Sequence, residues 1–145
     1  MTDAPRNERP RASPSVLETA LYARDLVAAE RFWRDAMGLE PYQVKPGRHV
    51  FYRLESQMLL IFNPDVTSET PRPGAPQVPP HGTQGEGHVC FAACADEMDA
   101  WRHRLAAAGV DIEADLTWPG GGRSLYFRDP AGNSIEIAEP RIWGL

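Results

Sequence analysis

Residues Arg123 to Pro140 read RSLYFRDPAGNSIEIAEP, and this stretch decides the fold. Two runs with strand-like alternation flank DPAGN, a cluster that reverses a chain because Pro fixes φ, Gly accepts positive φ and Asp or Asn bonds its own backbone. The second strand carries Glu136 between Ile135 and Ile137. Alternation sends the two isoleucines to one face and Ser134, Glu136 and Ala138 to the other. A carboxylate in the middle of an apolar strand is costly unless it is paired or bound to a metal.

The same plan stands earlier in the chain. HVFYRLESQMLLIFNP, His49 to Pro64, is again strand, turn and strand. Upstream of each hairpin lies a strand followed by a helix. VLETALYA and then RDLVAAERFWRDAMGL precede the first hairpin, and HVCFAAC and then ADEMDAWRHRLAAAG precede the second. Leu26, Ala29, Phe32, Trp33, Ala36 and Met37 follow the helical period, as do Met98, Trp101 and Leu105. Asp25 and Asp96 are placed to cap the helix starts, and Gly38 and Gly109 to end them. Glu18 lies 20 residues before Gly38 and His88 lies 21 before Gly109, so the two hold equivalent positions. With further strands around residues 40–45 and 111–116, each half reads βαβββ.

The expected organisation is a tail over residues 1–14 and one domain over 15–145, of class α+β. Module one covers 15–66, a linker 67–86 and module two 87–145. The linker is too rich in Pro and polar residues to form a core element. Each half is too small to hold a good core alone, so the halves are modules of one domain. A chain of 145 residues with 24% charged residues fits this size and class. Its net charge of −5 and its single lysine, Lys45, exclude a basic nucleic-acid-binding stripe. No apolar run reaches the roughly 18 residues of a membrane span, and MTDAPRNERPRASPS has no apolar core of a signal peptide. Two cysteines, Cys90 and Cys94, make no disulfide scaffold, so a reducing cytoplasm is the expected compartment.

Glu18, His88 and Glu136 pose one puzzle: polar residues at matched places on apolar strands. A divalent cation at which the three converge answers it, since His nitrogen and carboxylate oxygen suit first-row metals such as Zn, Ni, Mn or Fe. Aligning Pro64 with Pro140 puts Leu60 where the repeat would supply a fourth carboxylate. Three protein donors leave coordination positions for water or substrate, as in catalytic metal sites. His49 and His81 stand where either would reach the pocket as an acid, a base or a further contact. Cys90 shares a face with His88. Trp118 lies in a Gly-rich loop at the pocket border, and Arg123 and Tyr22 are further candidate substrate contacts.

LETALYARDLVAAERFWRDAMGLE, GHVCFA, LAAAGV and YFRDPAGNSIEI together resemble the vicinal oxygen chelate superfamily, over about Val16 to Pro140. That superfamily holds glyoxalase I, fosfomycin-resistance enzymes, bleomycin-resistance proteins and extradiol dioxygenases. The resemblance implies two βαβββ modules in an open, curved mixed sheet around a metal, with ligands at Glu18, His88 and Glu136. It differs from the usual pattern at Glu18, where His is common, and at Leu60, where glyoxalases often carry Glu or Gln. The implied function is a divalent-metal-dependent lyase or isomerase acting on a small substrate with adjacent oxygens, Glu18 or Glu136 moving a proton. The alternatives are a metal-free sequestering protein of the bleomycin-resistance kind and an Fe(II) ring-cleaving dioxygenase. A homodimer, sometimes sharing the metal site between subunits, is a further implication.

Overall fold

The structure, a computed structural model, describes residues 14–145. The tail expected over residues 1–14 therefore lies, apart from Pro14, outside the described residues. In module one, β1 (Glu18–Tyr22) leads to α1 (Leu26–Asp35), β2 (Pro41–Lys45), β3 (His49–Arg53) and β4 (Met58–Phe62). A one-turn helix, α2 (Pro64–Thr67), spans the end of module one and the first linker residue. Module two repeats the order with β5 (His88–Ala92), α3 (Met98–Ala107), β6 (Ile112–Thr117), β7 (Arg123–Arg128) and β8 (Ser134–Ala138). Helix α2 is one turn beyond the expected βαβββ plan. Its signals are local: Pro64 at the first turn and an Asn63 side chain that accepts from the Asp65 amide at 3.0 Å.

Two four-stranded mixed sheets result, ordered β1-β4-β3-β2 and β5-β8-β7-β6. The repeat holds residue by residue. Glu18 pairs with Met58 as His88 pairs with Ser134, and Ala20 pairs with Leu60 as Cys90 pairs with Glu136. Both sheets even break register at one place, between Pro41 and Gln43 and between Ile112 and Ala114. Leu60 is thus the structural counterpart of Glu136, as the proline alignment implied.

Helix ends follow their chemistry. The Asp25 carboxylate accepts from the Ala28 amide at 2.9 Å, and Gly38 and Gly109 take φ of +69° and +73° just past α1 and α3. At the start of α3 the cap differs from the expected Asp96. A short 3-10 turn, Ala95–Glu97, precedes the helix, and the Glu97 carboxylate accepts from the Cys94 amide at 2.7 Å.

The core lies on the helix-bearing faces of both sheets. Trp33 is fully buried and its ring lies 6.3 Å from Tyr52 of module one and 6.0 Å from Phe91 of module two. Phe32 meets Phe127 at 6.3 Å, so α1 joins the two halves into one core. The DPAGN turn makes a second joint. Buried Asn133 donates to the Tyr22 carbonyl at 3.2 Å and accepts from the Gly87 amide at 2.7 Å. A Cβ at Gly87 would stand 2.9 Å from Leu21 Cδ2 and 3.2 Å from Asn133 Oδ1, so a larger residue here would displace the Leu21 side chain. The opposite face of each sheet carries the residues with chemistry: Glu18, Tyr22, Leu60, Phe62, Phe51 and His49 in module one, and His88, Cys90, Glu136, Tyr126 and Ser124 in module two.

Candidate functional site

On β5 and β8 the structure brings His88 and Glu136 together, Nε2 to Oε2 at 3.3 Å. Glu136 is 6% exposed, while the His88 side chain stands half open to solvent. His88 Nδ1 lies 3.0 Å from the Ser134 carbonyl oxygen. A carbonyl only accepts, so Nδ1 carries the hydrogen and donates it. In the neutral ring Nε2 is then a bare lone pair, and it faces a carboxylate oxygen, another acceptor. Two acceptors at this separation repel unless a positive charge lies between or beside them: a proton on Nε2, or a metal cation. The second Glu136 oxygen, Oε1, is buried with no hydrogen-bond partner. An oriented imidazole backed by a carbonyl, next to an incompletely bonded buried carboxylate, is the donor chemistry of a metal site with its supporting hydrogen bond.

Tyr126 stands directly across the β7–β8 ladder from Glu136, and its ring is near-parallel to His88 with centroids 6.3 Å apart. Burial, followed by the neighbouring Glu136 carboxylate, pushes its phenol up to about 12, so it stays an O–H donor at neutral pH. Sequence reasoning passed over Tyr126. Folding the hairpin about DPAGN opposes it to Glu136, so the signal was present in the strand register. Cys90 faces Glu136 from the other side, and burial and the same carboxylate push its thiol up to about 12. Without a cation beside it, the Cys90 thiol stays protonated at neutral pH. Trp118 donates its indole N–H to the buried Ser124 hydroxyl at 2.9 Å and so lies over the end of this face.

The other candidates gather elsewhere. Glu18 is exposed on β1, in the other sheet. Among the described residues, no three His, Cys, Asp or Glu side chains of the chain come together as a metal-binding group. Convergence of Glu18, His88 and Glu136 within one chain is thus not what the fold produces. The helices and core occupy the space between the modules, and the donors stand on the faces turned away from it. His49 is 7% exposed, stacks on Phe51 at 3.9 Å, and has both ring nitrogens buried without a partner. Burial, then the charges of Arg48 and Lys45, lower its pKa, so it is held neutral. His81 reaches the module-one face from the linker, where its Nδ1 meets the Tyr22 hydroxyl at 2.7 Å. Arg123 corrects an expectation. Alternation turns it to the helix side, where it bonds both Asp115 oxygens at 2.7 and 2.8 Å and Asp99 at 2.7 Å. Its guanidinium serves β6 and α3 and is not free for a substrate on the Glu136 face.

The comparisons agree with this architecture. The model of the family described as "Glyoxalase/Bleomycin resistance protein/Dioxygenase superfamily" matches residues 15–137. No curated protein sequence matches. A crystal structure of lactoylglutathione lyase from Agrobacterium tumefaciens is 43% identical, with a TM-score of 0.87, covering 93% of this chain and 100% of that one. A glyoxalase-related enzyme from Fulvimarina pelagi is 25% identical, with a TM-score of 0.67, covering 86% and 87%. A glyoxalase/bleomycin resistance protein/dioxygenase from Nocardioides is similar in fold at 22% identity and a TM-score of 0.70, covering 90% and 85%.

Proposed function

The chain belongs to the glyoxalase/bleomycin resistance protein/dioxygenase superfamily, and on that footing we propose that it is a divalent-metal-dependent lyase or isomerase acting on a small substrate with two adjacent oxygens. The observation that carries this reading is the His88–Glu136 pair. Nδ1 is committed to the Ser134 carbonyl, Nε2 faces Oε2 at 3.3 Å, and Oε1 is buried and unpaired. These residues fit a metal ion, with His88 Nε2 and Glu136 as donors from module two and Glu18 as the donor from module one. Zn, Ni, Mn and Fe all suit this nitrogen and oxygen set.

Glu18 lies on a different sheet from the pair, and both donor-bearing faces are turned away from the core. A homodimer in which the Glu18 face of one copy covers the His88–Glu136 face of the other unites the three and excludes water from the site. Bound there, the cation supplies Lewis acidity to the substrate's oxygens, worth several kcal/mol as negative charge develops. The protein's own part is to place and move a proton. Glu136 takes it from the carbon beside one substrate oxygen and returns it to the neighbouring carbon. Tyr126, kept protonated, donates to the developing oxyanion or to Glu136. Trp118 borders the face on which the substrate lies.

The activity in the name of the 43% identical structure, lactoylglutathione lyase, falls within this class and is the first to test. Purified protein is assayed for metal content, and then for formation and cleavage of lactoylglutathione through the thioester absorbance. Wild type is expected to bind a divalent ion and to lose it with His88→Ala or Glu136→Ala. If wild type binds no Zn, Ni, Mn or Fe, the metal-enzyme reading is wrong. Ligand stabilisation that persists in chelator would then support the sequestering alternative.

A further inference from the structure

Of the two donors on module two, His88 has its backing: the Ser134 carbonyl fixes its ring. Glu136 is buried, with Oε2 facing His88 and Oε1 unpaired. The groups placed to back the carboxylate stand on β7. Tyr126 lies opposite Glu136 in the ladder, and Ser124, two residues earlier on the same face, is fully buried. Beyond Ser124 comes Trp118, its indole Nε1 at 2.9 Å from the Ser124 Oγ. A closed loop delivers that indole. The Trp118 amide donates to the Gly122 carbonyl and the Gly121 amide to the Trp118 carbonyl, each at 2.9 Å.

The chemistry of these groups gives the row a direction. An indole N–H only donates, so the Ser124 oxygen accepts and its own hydrogen is left to donate onward. Burial raises the Tyr126 phenol most; hydrogen bonding with Glu136 raises it further, and hydrogen bonding with Ser124 lowers it. A partner that takes the phenol's hydrogen raises its pKa, and one that gives a hydrogen to its oxygen lowers it. Both signs run the way the indole does: Trp118 to Ser124, to Tyr126, to Glu136. Module one supplies the contrast. His49, Phe51 and Leu60 hold the places of Ser124, Tyr126 and Glu136, so where the carboxylate is missing the hydroxyls are missing too.

We propose that Trp118, Ser124 and Tyr126 form a one-way row of hydrogen-bond donors that ends on Glu136 and holds its carboxylate in the orientation that binds the cation. Trp118 and Ser124 are positioning residues that act through Tyr126. The inference rests on the metal reading above and names what supports its buried carboxylate.

The test titrates Zn alone calorimetrically into wild type, Tyr126→Phe, Ser124→Ala, Trp118→Phe and the double variant Trp118→Phe/Tyr126→Phe. Tyr126→Phe should weaken binding about tenfold, and Ser124→Ala and Trp118→Phe about threefold each. Once Tyr126→Phe is in place, Trp118→Phe should change nothing further, whereas an indole that only packs on the face would cost the same in both backgrounds. The Trp118 indole N–H resonance, assigned by its loss in Trp118→Phe, should shift when Zn binds wild type and stay in place when Zn binds Tyr126→Phe. Zn affinity unchanged in Trp118→Phe, or weakened equally with and without the Tyr126 hydroxyl, overturns the proposal, as does an indole resonance that Zn leaves unmoved in wild type. If wild type binds none of Zn, Ni, Mn or Fe, the metal reading fails by itself. Wherever Zn does not bind, the row is judged in metal-free protein from the same indole resonance in Tyr126→Phe and Glu136→Gln. A shift in both upholds the row, and an unmoved resonance in either refutes it.

Discussion

The two modules share a backbone plan and differ in what they hang on it. Position for position, Glu136 in module two is Leu60 in module one, Tyr126 is Phe51, Ser124 is His49, Ala138 is Phe62 and Ala92 is Tyr22. Small and polar groups therefore gather on one face and aromatic ones on the other. The helix-side positions do not diverge this way: Leu59 and Ile61 are matched by Ile135 and Ile137, all fully buried. Duplication preserved the half of each sheet that the core requires and released the half that it does not. The site-side faces then diverged, with His88, Glu136 and Tyr126 on module two and Glu18 beside a ring-lined wall on module one.

That contrast depends on the joint between the modules, and breaking the joint has the largest expected effect. Trp33→Ala removes a fully buried ring that touches Tyr52 of module one and Phe91 of module two. It should cost about 3–5 kcal/mol, measured by urea unfolding, with both modules losing structure together. If one module unfolds and the other persists, the halves are independent and the shared-core account is wrong.

Exchanging the divergent residues sharpens the comparison. Glu136→Leu makes module two resemble module one. It should weaken divalent-ion binding by at least about 100-fold while leaving metal-free stability unchanged or higher, because a buried, incompletely bonded carboxylate disappears. The converse, Leu60→Glu, buries a carboxylate where Leu60 is 7% exposed. Metal-free protein should lose about 2 kcal/mol, and added divalent ion should restore it if the new group joins the site. Thermal unfolding with and without metal reads both variants.

A smaller effect lies in pH. His49 is buried and flanked by Arg48 and Lys45, so its folded pKa lies below the ordinary 6.5. The unfolded chain then binds the proton more tightly than the folded one. The contribution is fully present above about 6.5 and is lost as pH falls below it. Urea midpoints between pH 8 and 5 should decline less in His49→Phe than in wild type. Equal declines would show that His49 is not held neutral.

Much of this was legible in the sequence because it rests on local rules. DPAGN flanked by alternating strands, a cap at Asp25, glycines at the helix ends and a carboxylate between two isoleucines gave the modules, their register and the Leu60–Glu136 equivalence. What was not legible depends on which face turns where. Alternation says that Glu18 and His88 share a type of face, but not that α1 fills the space between the sheets and keeps those faces apart within one chain. Arg123 read as a free cation because the Asp115 and Asp99 that engage it come from other elements. Tyr126 was hidden for the opposite reason: a strand tyrosine is ordinary until the ladder sets it against Glu136. At Asp96 a 3-10 turn shifted the cap to Glu97, a choice between neighbouring carboxylates that sequence pattern leaves open.

The most direct measurement is a complementation of metal binding. Glu18→Ala and Glu136→Ala are purified apart, then refolded together, and bound divalent ion is counted by equilibrium dialysis. If Glu18 of one copy completes the His88–Glu136 pair of another, each variant alone binds weakly or not at all. The mixture then regains one intact site in each mixed dimer. A mixture that binds no better than its parts, or a Glu18→Ala protein that binds as wild type does, would contradict the account.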